Sequence, residues 1–267
     1  IDIVECNIFD ESKIRELLKV ADICINLVGI LFEKGKINTF KNINENFPIF
    51  LSNLCKEYNI GQFIHLSALG VEQAVDSKYA KSKFHAEEFI KKNCANFTIL
   101  KPSVVYSVDD NFTTSFMTIL NTLPFFPLYY GGKTKFTPIN CSDLTEIIYQ
   151  TINQDLKPIV IECIGPEQIT LKEILRKLLK LIDKKRLLIP IPLILGKFLC
   201  LFTELLPKPL ITNDQLKLLK YNNIPSGNYK TNFDLNLPSY ANFELEVQKY
   251  SYMWKESGEY SRNKNKN

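Results

Sequence analysis

The first half of the chain alternates short β-branched runs with longer amphipathic segments, and this alternation constrains the fold more than any other feature. The short apolar runs predict strands, and apolar spacing of three and four residues predicts helices that pack on a sheet. Strands alternating with helices form βαβ units and a parallel sheet. The predicted strands are Ile1 to Cys6, Ile23 to Val28, Gln62 to Ser67 and Phe97 to Lys101, and the predicted helices are Glu11 to Lys19, Phe40 to Tyr58 and Lys78 to Lys92.

The second half is less regular. Residues 108–136 are rich in aromatic residues and proline, and we predict a lid-like insertion there. We therefore predict an α/β fold with a Rossmann-type domain over 1–165, a mainly helical lobe over 166–255 and a flexible tail over 256–267. The later predicted elements are a helix from Ser142 to Ile152, a strand from Pro158 to Ile164, and helices from Leu171 to Ile182, Leu193 to Leu206 and Asn213 to Lys220.

Composition excludes several classes of function. An apolar fraction of 45% is that of a globular protein, and a net charge of +4 over 267 residues gives little support to nucleic-acid binding. The seven cysteines are far apart in sequence and only two histidines are present. We therefore expect reduced thiols and no metal site.

The apolar segment from Leu187 to Pro207 is the one part of the sequence that suggests a membrane. Pro190 and Pro192 interrupt it early, and Lys197 and Glu204 lie within it, which leaves Leu193 to Leu206 as the helical part. About fourteen helical residues span roughly 21 Å, which is short of the ~30 Å hydrocarbon core. We predict a core or interdomain helix, with an interfacial or partner-docking helix as the alternative.

One constellation of residues indicates chemistry. Ser67 ends a predicted strand, and Tyr79 and Lys83 lie four residues apart on one face of the next predicted helix. An ammonium beside a phenol favours the phenolate, so we expect Lys83 to lower the pKa of Tyr79 and make it a general acid/base. Ser67 would donate to a substrate carbonyl oxygen, and Lys83 would also hold a nucleotide ribose. We interpret Glu87 and Glu88 as a solvated helix face and His65 as a satisfied core residue.

This pattern resembles the short-chain dehydrogenase/reductase superfamily in its extended, epimerase-like branch. In that resemblance Ser67, Tyr79 and Lys83 match the catalytic triad. Other matching positions would contact a nicotinamide cofactor, with NADP(H) expected and NAD(H) as the alternative. They are Asn26, Leu27, Val28 and Gly29 after a strand, Asn44 in the following helix, and the turn of Lys101, Pro102 and Ser103.

The chain departs from the superfamily in its phosphate-binding part. None of its ten glycines forms the GxGxxG loop that places a pyrophosphate at a helix N-terminus. Ile1 to Cys6 resembles the third strand of the family. We therefore expect two βα units, on the order of 50 to 60 residues, to precede it in the full-length protein.

A narrower resemblance covers nearly the whole chain. It is to the alpha-subcomplex subunit nine family, the nucleotide-binding accessory subunits of respiratory complex I. The stretches that carry it are Ile25 to Leu31, Leu66 to Val71, Leu205 to Gln215 and Leu237 to Tyr240.

This resemblance implies an NAD(P)H-binding accessory or assembly protein that is structural rather than catalytic. It implies complex I subunits as partners and a membrane-surface contact through 193–206. The location would be the matrix side of the mitochondrial inner membrane, or the cytoplasmic face of a bacterial inner membrane. The alternative is a stand-alone NAD(P)-dependent reductase or epimerase/dehydratase that uses Tyr79. A reductase for a quinone-like or isoprenoid-like substrate is a third hypothesis.

Overall fold

The computed structural model describes residues 1–203, 209, 211–237 and 239–260, with the backbone only at 198, 199 and 201–203. The strands in chain order are β1 (Ile23–Asn26), β2 (Gln62–Leu66), β3 (Phe97–Pro102), β4 (Val105–Tyr106), β5 (Phe125–Leu128), β6 (Lys135–Phe136), β7 (Ile139–Asn140), β8 (Ile159–Cys163), β9 (Ile169–Thr170), β10 (Leu187–Pro190) and β11 (Lys230–Thr231).

Helices separate most of these strands. The α-helices are α1 (Glu11–Leu18), α2 (Phe47–Glu57), α3 (Lys78–Asn93), α4 (Thr113–Thr122), α5 (Cys141–Asn153), α6 (Leu171–Leu181), α7 (Leu193–Thr203), α8 (Asn213–Leu218) and α9 (Phe243–Ser251). A π-helix over Lys41–Asn46 leads into α2, and short 3₁₀ segments cover Tyr129–Gly132, Phe233–Leu235 and Tyr252–Trp254.

The α/β class and the parallel sheet predicted from the sequence are confirmed. Most predicted elements begin and end close to their observed bounds. The strand predicted at Ile1 to Cys6 is wrong, because these residues are exposed and pair with no strand in the described part of the chain. A strand forms only where a neighbour accepts and donates its backbone hydrogen bonds.

Contacts divide the chain into two compact units. Unit 1 comprises residues 1–101 and 150–161, and unit 2 comprises residues 102–149 and 162–267. These units group residues by contact, whereas the predicted division at residue 165 concerns folding domains and stays a prediction. Some predictions fall partly outside the described residues, namely 261–267 of the predicted tail at 256–267, the helix end at 204–206, parts of the stretch from Leu205 to Gln215, and Pro238 in the stretch from Leu237 to Tyr240.

Unit 1 contains the parallel sheet. Its strands lie in the order β1, β2, β3, β8, with β1 parallel to β2 and β2 parallel to β3. The core that holds α1 and α2 on these strands includes Leu54, Phe63, Ile90 and Ile99, each almost fully buried. The carboxyl ends of three neighbouring strands therefore meet at one edge.

Unit 2 has a separate apolar core. Met117 and Leu120 of α4, Phe126 and Leu128 of β5, and Leu178 of α6 all belong to it. The segment at 108–136, predicted as a lid-like insertion, therefore supplies part of this core. Among the described residues no helix is both long enough and apolar enough to cross a membrane.

Helix α6 buries its apolar face in unit 2, and its packing leads to a prediction about stability. Leu178 is fully buried in the core, whereas Leu245 of α9 is 62% exposed. We expect Leu178→Ala to lower the free energy of unfolding by about 2–5 kcal/mol, because it leaves a cavity. Leu245→Ala is the matched control and should shift the urea midpoint far less; equal shifts would contradict the described packing.

Candidate functional site

The candidate site lies in unit 1, where β1 and β2 end and α3 begins. Asn26 is the last residue of β1, and Ser67 directly follows β2. Ser77 starts α3 as its N-cap, since its side chain accepts a hydrogen bond from the Ala80 backbone N–H. The carboxyl edge of a parallel sheet is where ligands bind in open α/β folds.

Helix α3 carries a stripe of functional side chains on one face. Tyr79, Lys83 and Glu87 are spaced four residues apart, so they follow one another along the helix. The Lys83 Nζ donates to the backbone oxygen of Leu66 at 2.8 Å, which ties the helix to the end of β2. The Tyr79 ring packs edge-on against Phe40, with ring centroids 5.8 Å apart.

Glu87 is the centre of a buried polar network. Its carboxylate accepts a hydrogen bond from the Ser67 hydroxyl and a hydrogen bond of 2.9 Å from the Lys101 Nζ. The same Nζ donates to Glu72 at 2.7 Å. The side chains of Lys101 and Glu87 are both 0% exposed. The Ser67 hydroxyl is thus already hydrogen-bonded to a carboxylate of the protein.

The interpretation of Glu87 as part of a solvated face is therefore wrong. Two features of the sequence could have indicated the network. Glu87 continues the spacing of Tyr79 and Lys83, and Lys101 interrupts an otherwise apolar strand. A buried lysine requires an acidic partner, and the sequence does not show which of several glutamates supplies it.

The pKa of Tyr79 moves in the direction opposite to the one that we expected. Burial, followed by the charge of Glu87, raises the pKa of Tyr79 to about 12. Burial lowers the pKa of Lys83 to about 8, against the opposing effect of Glu87. The expectation that Lys83 activates the phenol ignored desolvation and the carboxylate below it, and both effects favour the neutral phenol.

Asn26 and His65 form a second buried contact at the strand ends. The Asn26 Nδ2 lies 3.1 Å from the His65 Nδ1, and its Oδ1 accepts from the Val28 N–H at 3.1 Å. Burial and the Lys83 charge lower the pKa of His65. His65 is buried as predicted, yet only Nδ1 is bonded, since Nε2 has no partner among the described residues.

Gly29, Asn44 and Lys83 come together beside the end of β1. A Cβ at Gly29 would lie 3.2 Å from the Lys83 Nζ and 3.6 Å from the Asn44 Oδ1. Asn44 lies in the π-helix, and its amide exchanges two hydrogen bonds with the Ile30 backbone. Glycine therefore allows this loop to approach the ammonium closely, and Leu27 beside it is 60% exposed.

The predicted cofactor turn is engaged in other contacts. The Lys101 ammonium is held by two carboxylates, as described above. In unit 2, the Ser103 hydroxyl donates to the Asn223 Oδ1 at 2.6 Å, and Pro102 is buried. In unit 1, Leu27 and Gly29 are exposed, and Gly29 lies beside the Lys83 ammonium.

The buried network gives a prediction about stability. Glu87→Gln leaves Lys101 with one carboxylate and should lower the free energy of unfolding by about 3–5 kcal/mol, because a buried charge loses a partner. Glu88→Gln is the matched control, since Glu88 pairs with Lys91 at the surface. Urea denaturation of both variants measures the difference, and a small effect of Glu87→Gln would mean that the network is not formed.

The buried ammonium gives a prediction about pH. The Lys83 side-chain ¹⁵N resonance is assigned as the one that disappears in the Lys83→Met variant. We expect it to titrate with a pKa of about 8. The folded pKa lies below the ordinary lysine value of 10.5, so the contribution of Lys83 to the free energy of unfolding rises as pH increases from about 8 towards 10.5. A midpoint at or above 10.5 would contradict the dominance of burial over the charge of Glu87.

Comparisons with known proteins agree on the relatives of this chain. No protein-family model matches it. It is 25% identical over 240 residues to NADH dehydrogenase [ubiquinone] 1 alpha subcomplex subunit 9 of Arabidopsis thaliana, covering 85% of this chain and 60% of that protein. The Mus musculus protein of the same name is 23% identical over 80% of this chain and 57% of its own length. The chain thus spans less than two thirds of these relatives.

Solved structures identify the fold. The dTDP-glucose 4,6-dehydratase of Bacillus anthracis, solved with NAD, matches with a TM-score of 0.65 and 13% identity, covering 94% of this chain and 81% of that chain. The dTDP-4-dehydrorhamnose reductase of the same organism, solved with NADP, matches with a TM-score of 0.60 and 15% identity, covering 82% of this chain and 83% of that chain. This chain is therefore similar in sequence to the alpha subcomplex subunit 9 proteins, and it has a Rossmann-type fold like that of this dehydratase and this reductase.

Proposed function

We propose that this protein is an NAD(P)H-binding accessory or assembly subunit of respiratory complex I, with a structural rather than a catalytic role. The observation that carries the proposal is the engagement of the Ser67 hydroxyl by the buried Glu87 carboxylate. A serine held in this way is not available to polarise a substrate carbonyl. Relatives that are complex I subunits by name support the assignment.

The protonation state of Tyr79 supports the same proposal. A general acid/base works best when its pKa lies near the operating pH. The pKa of Tyr79 is raised to about 12, so the neutral phenol is held strongly at pH 7. In this proposal Tyr79 and Lys83 serve as contacts for the cofactor, and the proton transfer of a dehydrogenase is suppressed.

The residues beside β1 fit a nicotinamide dinucleotide. Gly29 leaves room next to the Lys83 Nζ, and Lys83 would donate to a ribose hydroxyl. Asn44 holds the loop backbone in place through Ile30. The bound cofactor would supply hydride chemistry in an active dehydrogenase. We propose NADP(H), with NAD(H) as the alternative; the neighbouring structures were solved with one or the other.

The partners and location follow from the relatives. The relatives are named as mitochondrial subunits of NADH dehydrogenase. We propose that this protein binds complex I subunits as a peripheral component. It would lie on the matrix side of the inner membrane in mitochondria, or on the cytoplasmic side of the inner membrane in a bacterium. It would contact the membrane through 193–206.

The cofactor contact can be tested by substitution in the full-length protein. We expect Lys83→Ala to weaken NADPH affinity about tenfold, because a charge-assisted hydrogen bond to the ribose is lost. Lys81→Ala is the control, since Lys81 is exposed on the same helix. Fluorescence titration with NADPH measures both. Unchanged NADPH affinity in Lys83→Ala, or an equal loss in Lys81→Ala, would contradict the proposed contact between Lys83 and the ribose.

The accessory role is tested by assembly and by turnover. We expect the full-length protein to co-purify with complex I subunits, and Tyr79→Phe to leave that association intact. NADPH should not be oxidised on addition of carbonyl compounds, quinones or nucleotide sugars. Fast oxidation that Tyr79→Phe abolishes would reject the accessory role in favour of the stand-alone reductase or epimerase/dehydratase.

A further inference from the structure

Three buried cysteines share the apolar core of unit 1. Cys24 lies in β1, Cys55 lies in α2 and Cys94 is the C-cap of α3. All three belong to one cluster of buried side chains, and their exposed fractions are 9%, 2% and 7% in that order. They are far apart in sequence, so the packing of α2 and α3 on the sheet is what brings them together.

Two of these thiols are in direct contact. The side chains of Cys24 and Cys55 are hydrogen-bonded to each other between β1 and α2. A disulfide has a sulfur–sulfur length of about 2.05 Å and requires the two side chains to point towards each other. Thiols that share a hydrogen bond already point towards each other, and a small movement of α2 against β1 would bring the sulfurs to bonding distance.

The two thiols of this pair are not equivalent. The Cys55 thiol donates the hydrogen bond, which favours a thiolate at Cys24 and lowers the pKa of Cys24. The same hydrogen bond, followed by burial, raises the pKa of Cys55. Since the thiolate is the nucleophilic form of cysteine, Cys24 is the residue that reacts first and Cys55 is the one that reacts second.

We propose that Cys24 and Cys55 form a reversible disulfide when hydrogen peroxide oxidises this protein. Cys24 loses its proton, and its thiolate attacks one oxygen of the peroxide. The O–O bond breaks, Cys24 becomes a sulfenic acid, and the departing hydroxide takes up a proton to give water. The Cys55 sulfur then attacks the Cys24 sulfur. The S–O bond breaks, and the leaving hydroxide takes the Cys55 proton as a second water.

The disulfide would close a loop that runs from β1 to α2. This loop contains Gly29 and Asn44, which come together beside the end of β1 as described above. Oxidation would therefore restrict the part of unit 1 that carries these two residues. The inference goes beyond the proposed function and does not depend on it, because the reaction requires only the two thiols and the peroxide.

Peroxide treatment of the full-length protein tests the pair. The starting protein carries Cys6→Ser and Cys141→Ser, since these thiols are exposed and would react with peroxide before the buried ones. We expect a mass loss of about 2 Da that dithiothreitol reverses, and a cross-linked peptide that joins Cys24 to Cys55. A bond from Cys24 to Cys94, or oxidation without any bond in unit 1, would overturn the proposal.

Alanine variants of the same protein assign the two roles. Cys55→Ala should leave Cys24 as a sulfenic acid that dimedone labels, and Cys24→Ala should reduce that labelling about tenfold or more. Cys94→Ala is the matched control, because Cys94 is buried in the same cluster. It should form the disulfide at a rate within about twofold of the starting protein. Loss of the disulfide in Cys94→Ala as complete as in Cys24→Ala would reject the pair.

Hydrogen exchange distinguishes a bond made in the folded protein from one made in an unfolded chain. We expect the backbone amides of residues 26–44 to exchange about threefold more slowly after oxidation, because a cross-link opposes local opening. Helix α9 of unit 2 is the internal control and should be unaffected. Unchanged or faster exchange at 26–44 would show that the bond does not arise from the described contact, and would overturn the inference. None of these measurements involves NADPH or complex I, so their failure is distinct from failure of the proposed function.

Discussion

The buried ammonium of Lys101 is the constraint around which the candidate site is arranged. A lysine with no exposed side-chain surface is tolerated only when its charge is neutralised and its protons are bonded. Glu72 and Glu87 meet this need from two different parts of the chain, one before α3 and one within it. The position of α3 against the end of β3 is therefore fixed by charge as well as by apolar packing.

The position of α3 in turn determines what Tyr79, Lys83 and Ser67 do. Glu87 has to face Lys101, so the rest of the stripe faces the ends of β1 and β2. Lys83 reaches the Leu66 backbone oxygen and approaches Gly29. Ser67 donates to the second oxygen of Glu87. The same carboxylate that stabilises Lys101 thus occupies the serine hydroxyl and disfavours a phenolate at Tyr79.

These features distinguish binding from turnover in a fold that serves both. A family fold does not determine whether chemistry occurs, because function depends on the groups at the site. In the proposed role Lys83 would contact a ribose, while burial and a neighbouring negative charge oppose the proton chemistry of Tyr79. An accessory subunit requires cofactor binding and does not require proton transfer by the tyrosine.

The sequence by itself determined the α/β class, the order of most strands and helices, and the helical stripe that begins with Tyr79 and Lys83. These follow from local periodicity, which depends on near neighbours in the chain. The burial of Glu87, its pairing with Lys101, the pKa directions of Tyr79 and Lys83 and the lack of a strand at Ile1 to Cys6 were decided only by the tertiary structure. Each depends on partners distant in sequence or on removal from water, and periodicity contains no information about either.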